Sequence, residues 1–313
     1  MKQITNNKGK LFIVFMFVSF IAFMSSCSGG SGYVPAGNNP SVCSQNMPAD
    51  MQKLLGCTTQ QTQQQTPPTN ANLPPPIIVA NGGTYVSTCT AILQSGSIPV
   101  GLNAQSYGLG GAVVGASISL FTSTSNKAAN QTPDITVTSG ASGTVTTTLP
   151  TGIPFAVKAS ASGYMDTYQF GEIVSAADAN ALLPVELMSG TIVSLASGSA
   201  KVTQDPSMGA IVGTVGDCAG DAIENAIVTL QNIDTGAVVT QGIFYGNPPL
   251  GLPAPSLTWT SSQGDFLAFN VPPGAYQVVA TGVLSASDTT TTVLGQSYAE
   301  AITGSVSIVN IQP

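Results

Sequence analysis

The chain has 313 residues, 43% hydrophobic and only 7% charged, with seven lysines, no arginine and no histidine against fourteen acidic residues. A net charge of −7 without arginine excludes a protein that tracks nucleic-acid phosphates, because that needs clustered cations. The lack of histidine excludes Ser-His-Asp and Cys-His catalysis and the usual histidine zinc sites.

At the N-terminus Lys2, Lys8 and Lys10 precede an apolar run, Leu11–Met24, whose only polar residue is Ser19. Charge followed by a short apolar run is the order of a secretory signal, and a transmembrane helix would need about 20 residues. Ser25-Ser26-Cys27 follows and resembles a bacterial lipobox, with Met24 where leucine is usual. The resemblance implies a lipid on Cys27, cleavage after residue 26, and a membrane partner reached through that anchor. Ser28, by analogy with known lipoproteins, implies the cell outer membrane. The exported chain then keeps four lysines against fourteen acidic residues, a net −10.

Residues 27–77 read as a disordered tether. The stretches 28–41 and 58–76 are low in complexity and cannot bury a core. Four cysteines remain beyond Cys27, an even number that permits two disulfides in three connectivities. Cys43 and Cys57 flank a short helical signal and are a candidate pair; Cys89 with Cys218 is what that pairing leaves over. With no C-x-x-C pair, metal binding by the four is not expected.

Ser, Thr, Gly, Ala and Val dominate the chain; Thr and Val suit half-buried strands and the many Gly and Pro residues suit turns, which predicts an all-β fold. An internal repeat is visible. Ala116-Ser117-Ile118-Ser119-Leu120, Gly143 and Phe155-Ala156-Val157 return as Ala226-Ile227-Val228-Thr229-Leu230, Gly264 and Tyr276-Gln277-Val278. Alternation of period two gives each segment a core face and a solvent face. Gly143 and Gly264 are expected in tight turns that need positive φ. The second copy carries an 11-residue insertion that fits Ile243–Pro255. The sequence thus divides into a signal (1–26), the tether (27–77), a first module (78–172), a partly helical connector (173–207) and a second module (208–313). In the connector, Ser175 with Asp178 could cap a short helix, and Leu187–Ala196 could form another.

Ala226, Val228, Leu230, Gly264, Phe266, Val271–Gly274, Tyr276 and Val278, with the looser first copy ending in Ser162-Gly163-Tyr164, resemble the carboxypeptidase regulatory-like, transthyretin-like domain as found in lipoproteins of Gram-negative bacteria. The resemblance implies two tandem transthyretin-like or Ig-like β-sandwich modules that stabilise or bind other proteins. No nucleophile elbow or phosphate loop occurs in the chain, and no cofactor is expected.

Two clusters are candidate sites. Asp217, Asp221 and Glu224 could offer oxygens to Ca²⁺, or could simply make a turn. Phe244, Tyr245 and Trp259 could stack on a sugar or anchor a partner; alternatively Trp259 fills the core or an edge of its strand and Tyr245 covers it. The expectation is a non-enzymatic, lipid-anchored envelope protein acting as a structural or protein-binding module. A carbohydrate-binding surface lipoprotein is the alternative and a hydrolase accessory subunit a third reading. An envelope protein or polysaccharide is the expected partner.

Overall fold

The computed structural model describes residues 73–92, 96–123, 126–239, 241–248 and 251–313. The signal, Cys27, most of the tether and the Cys43–Cys57 pair lie outside the described residues. The described residues fall within one compact unit and form a multi-sheet β-sandwich. No described helix is long and apolar enough to cross a membrane.

The first repeat contains β2 (Ser97–Ser106), β3 (Ser117–Phe121), β4 (Ile135–Thr138), β5 (Thr144–Pro150), β6 (Phe155–Ser160), β7 (Thr167–Glu172) and β8 (Leu182–Leu187). A three-stranded sheet, β5-β2-β8, faces β4-β3-β6-β7 across a core of Leu102, Ile118, Leu120, Leu149, Phe155 and Leu187. The alternation read in sequence supplies this core: Val100, Leu102 and Ala104 of β2 point inward, and so do Phe155, Val157 and Ala159 of β6.

The second repeat contains β9 (Gly209–Val215), β10 (Ile223–Glu224), β11 (Ile227–Asn232), β12 (Val238–Val239), β13 (Ile243–Asn247), β14 (Leu252–Ala254), β15 (Asp265–Val271), β16 (Gly274–Gly282), β17 (Thr292–Ala301) and β18 (Val306–Ile311). One layer is β12-β11-β16-β17; the other is β14-β13-β15-β9-β18. The insertion predicted near Ile243–Pro255 is the β13–β14 hairpin, which extends this second layer.

The two copies match bond for bond. Gly143 and Gly264 both take positive φ, 78° and 70°. Their carbonyls accept the N–H of Ala104 and Val215 respectively. Four residues before each glycine stands a buried hydroxyl, Ser139 or Thr260. Ser139 Oγ accepts the Ala116 N–H at 2.9 Å and donates to the Val113 carbonyl at 2.7 Å. Thr260 Oγ1 accepts the Ala226 N–H at 2.8 Å and donates to the Ile223 carbonyl at 2.7 Å. Each hydroxyl satisfies two backbone groups that the turn would otherwise bury unpaired.

The repeats are not beads on a string. β18 runs parallel to β9 on one side and parallel to β7 on the other, so one sheet of nine strands crosses both repeats. β7 therefore has a core on each face, and all six of its residues are buried. Tyr168 and Phe170 belong to the second repeat's core, together with Ala156, which the alternation had placed toward solvent. Two polar members of β7, Thr167 and Gln169, are satisfied locally, whereas one carboxyl oxygen of Glu172 is buried without a partner. Thr167 Oγ1 donates to the Met165 carbonyl and accepts the Met188 N–H, and Gln169 Oε1 accepts the Glu186 N–H.

A second clasp joins the repeats. The Glu300 carboxylate on β17 is buried and accepts the N–H groups of Ala128 and Ala129 at 3.0 and 2.6 Å, and the Tyr298 hydroxyl donates to it at 2.6 Å. The β3–β4 loop of the first repeat is thereby seated on the second.

Residues 73–92, which the sequence divides between tether and first module, run along the second repeat. β1 (Ile78–Val79) pairs with β10, Pro76 bridges to Val283, and the Tyr85 hydroxyl donates to the Leu294 carbonyl at 2.7 Å. Cys89 and Cys218 form a disulfide with Cα atoms 4.8 Å apart, 129 residues apart in the chain. The predicted connector holds a 3₁₀ turn, Ala176–Asp178, capped reciprocally by Ser175 and Asp178, and the helix α1 (Gly190–Ser199), whose N-cap is Ser189. It also supplies β8 to the first repeat's core, so it is more than a spacer.

Candidate functional site

The aromatic candidates do not converge. Phe244 and Tyr245 are consecutive on β13 and so project to opposite faces. Tyr245 is 5% exposed, packs in the second repeat's core, and its hydroxyl accepts the Val228 N–H at 3.0 Å. Burial pushes the Tyr245 phenol above its ordinary pKa. Phe244 lies on the other side of the sheet, 6.0 Å from the Phe269 ring. Trp259 is partly buried and outside all three hydrophobic clusters, so it does not fill the core as expected. The next residue, Thr260, in the segment between β14 and β15, takes the buried position instead.

A stability difference follows. Trp259→Ala should cost less than about 2 kcal/mol, whereas Phe266→Ala, at a fully buried position, should cost about 3–5 kcal/mol. Urea unfolding of both variants checks this; equal losses would return Trp259 to the core.

The acidic cluster is a clasp. Asp217 is fully buried, and its carboxylate accepts the N–H groups of Val86, Ala219 and Asp221 at 3.0, 2.9 and 3.0 Å. Asn81 donates to Asp221, and Glu224 pairs through its backbone with Ile78. The carboxylates thus tie residues 81–86 to the second repeat beside the disulfide. No group of three metal-ligating side chains occurs among the described residues.

Other acids stand in the interior without a basic neighbour. Burial raises the pKa of Glu172 well above the ordinary carboxylate range, and the nearby Glu186 adds to the shift. Glu186 is also raised by burial, partly offset by a hydrogen bond from Gln105. Asp265 sits under the β13–β14 hairpin, where a Cβ on Gly251 would stand 2.8 Å from its Oδ2 and one on Gly246 2.8 Å from its Cβ. Burial pushes the Asp265 carboxyl up to about 7. Burial, then the charges of Asp265 and Glu186, raise Tyr107 as well.

Asp265 gives a pH dependence with a definite sign. Its folded pKa lies above the unfolded value of 3.8, so the folded state holds more protons between those two values. Stability contributed by protonated Asp265 is full below about pH 4 and is lost as pH rises through about 7. The whole effect is at most about 4 kcal/mol and is reduced by the side chain's remaining solvent contact. Asp265→Asn should therefore raise the melting temperature at pH 8 and leave it nearly unchanged at pH 4. An equal change at both pH values would contradict this assignment.

An open concavity lies in the first repeat. It is a shallow groove of about 670 Å³ lined by Gly101, Thr138, Gly140, Thr144, Thr146 and Leu182, with Val145 beside them. It follows the edges of β4 and β5 and carries no charged group.

The fold and these surfaces define a β-sandwich in which the buried Ser139, Thr260, Asp217 and Glu300 side chains hold backbone. No family model matches the chain, and no curated protein matches it. Among solved structures it is similar to the shaft pilin SpaA of Lactobacillus rhamnosus GG, with 16% identity over 69% of this chain and 98% of the pilin at a TM-score of 0.22. It is also similar to the Bacillus anthracis TIE protein, with 16% identity over 70% of this chain and a TM-score of 0.22; the chain spans 34% of that protein's length. A streptococcal ancillary pilin gives 11% identity over 70% of this chain and 63% of its own, with a TM-score of 0.20. At TM-scores this low the overall frames do not coincide.

Proposed function

We propose that the chain is a non-enzymatic structural or protein-binding module of the cell envelope, held at the outer membrane by a lipid on Cys27. The observation that carries the reading is the fusion of two β-sandwich repeats by a shared strand, with the N-terminal segment stapled to the second by a disulfide. A body built this way resists bending between its repeats, which suits a spacer or a rigid display platform. The disulfide suits an oxidising compartment beyond the cytoplasm. The buried hydroxyls and the Asp217 and Glu300 carboxylates are engaged with backbone N–H and C=O groups. A glycan platform of Phe244, Tyr245 and Trp259 has less support, because the first two rings lie on opposite faces.

Cys27→Ser tests the anchor. The variant should lose labelling by a fatty-acid analogue and move from the membrane to the soluble fraction. Undiminished labelling of the variant would remove the anchor from this reading.

A further inference from the structure

The two repeats can be read against each other, and they differ at one edge. β5 and β15 are equivalent strands: each follows its turn glycine, and each pairs antiparallel with the first strand of its repeat. In the second repeat the outer edge of β15 is covered antiparallel by β13, through Leu267 opposite Phe244 and Phe269 N–H bonded to the Gly242 carbonyl. Among the described residues the corresponding edge of the first repeat has no strand; β5 pairs with β2 alone.

The free backbone groups can be placed. Ala104 N–H bonds the Gly143 carbonyl and Thr151 N–H bonds the Gly96 carbonyl, so Val145, Thr147 and Leu149 face β2 with their hydrogen bonds. The N–H and C=O groups of Thr144, Thr146 and Thr148 point outward, and of these the Thr144 carbonyl accepts the Gly140 N–H. Edge strands are ordinarily protected by charge, proline or a bulge. From Thr144 to Leu149 there is none, and β2 and β4 carry no charge either. Ile135, Val137 and Val145 remain only partly buried along the same open side.

We propose that the free edge of β5 is a self-association site, at which a second copy of the chain pairs antiparallel about a two-fold axis through Thr146. Two copies of a net-acidic chain repel each other least where charge is absent, and this edge is such a place. The sequence there is self-complementary. Thr146 meets Thr146 of the second copy, Thr144 meets Thr148, and threonine pairs across strands are favourable. The partly exposed Ile135, Val137 and Val145 of one copy would cover those of the other.

The test uses the full chain in a non-ionic detergent that masks the apolar N-terminal run. Sedimentation velocity should show a concentration-dependent monomer–dimer equilibrium. Thr146→Lys places two lysines opposite each other and should shift it to monomer without moving the melting temperature, since Thr146 is exposed. Register is read by cysteine substitution. Thr146→Cys places two Cα atoms about 5.5 Å apart, within reach of a disulfide, and should give a covalent dimer above the parent's background. Thr148→Cys alone places them roughly 14 Å apart and should not, whereas a mixture of Thr144→Cys and Thr148→Cys chains should. A parent that stays monomeric, a dimer indifferent to Thr146→Lys, or equal crosslinking of the 146 and 148 variants would each overturn the proposal. A monomeric parent that binds an unrelated extended peptide at this edge would overturn it too, and would make β5 a docking strand for another protein.

Discussion

Deleting Val306–Pro313 is expected to unfold both repeats, including the first, which ends more than a hundred residues earlier in the chain. β18 buries Val306, Ile308, Val309 and Ile311 to 6% exposure or less. Each such side chain is worth about 1.5–3 kcal/mol on burial, so the four together rival the whole stability of an ordinary domain. The loss does not stop at the second repeat, because β7 would exchange a parallel partner for water along Thr167–Phe170. Backbone amides of Thr167–Glu172 should lose protection from hydrogen exchange together with those of Gly209–Val215. A point variant probes the same junction. Gly213 faces Val309 so closely that any Cβ would overlap its carbonyl, so Gly213→Val should push β18 off β9. Intact protection of β7 in either variant would show that the first repeat stands alone.

Breaking the Cys89–Cys218 disulfide should produce the next largest loss. Closing a loop of 129 residues removes chain entropy from the unfolded state worth about 5 kcal/mol in the simplest model. Cys89→Ser should therefore lower the melting temperature by on the order of 10 °C, with the second repeat affected first. The segment it anchors covers Val283 and Leu294 through Ile77 and Tyr85, and those contacts should loosen with it. Calorimetry on the oxidised parent and the variant checks the size. Hydrogen exchange at Ile223 and Glu224, which pair with β1, checks the place. A variant as stable as the parent would mean that the Asp217 clasp suffices without the covalent bond.

Much of this architecture is local and was legible. The alternation in Ser117–Phe121 and Phe155–Ser160 fixes which side chains enter the first core, and the glycines at 143 and 264 mark turns that need positive φ. The Ser175–Asp178 cap is a short-range pattern, and it holds. The equivalence of Ser139 and Thr260 was also available, since each hydroxyl stands four residues before its glycine; the signal was the repeat itself, read at polar as well as apolar positions. What joins the repeats was not legible. β7 reads Thr-Tyr-Gln-Phe-Gly-Glu, a half-polar strand, yet it is buried on both faces: Thr167 and Gln169 find partners from Met165, Glu186 and Met188, and Glu172 is held in the interior with its pKa raised by burial. Parallel pairing of β18 with β7 links segments far apart in sequence, which no local pattern encodes. The strap formed by residues 73–92 is interrupted by Pro74-Pro75-Pro76 and Asn81-Gly82-Gly83, which leave only the two-residue strand β1 between them, and it is held by Asp217 and a disulfide across 129 residues. The aromatic candidates failed as a group for a geometric reason, because consecutive strand residues cannot share a face.

Differential scanning calorimetry of the oxidised chain tests the central claim, that the two repeats are one cooperative body. A shared strand and the Glu300 clasp predict a single transition whose van't Hoff and calorimetric enthalpies agree. Two separable transitions, with a fragment of residues 208–313 melting at the temperature of one of them, would contradict it.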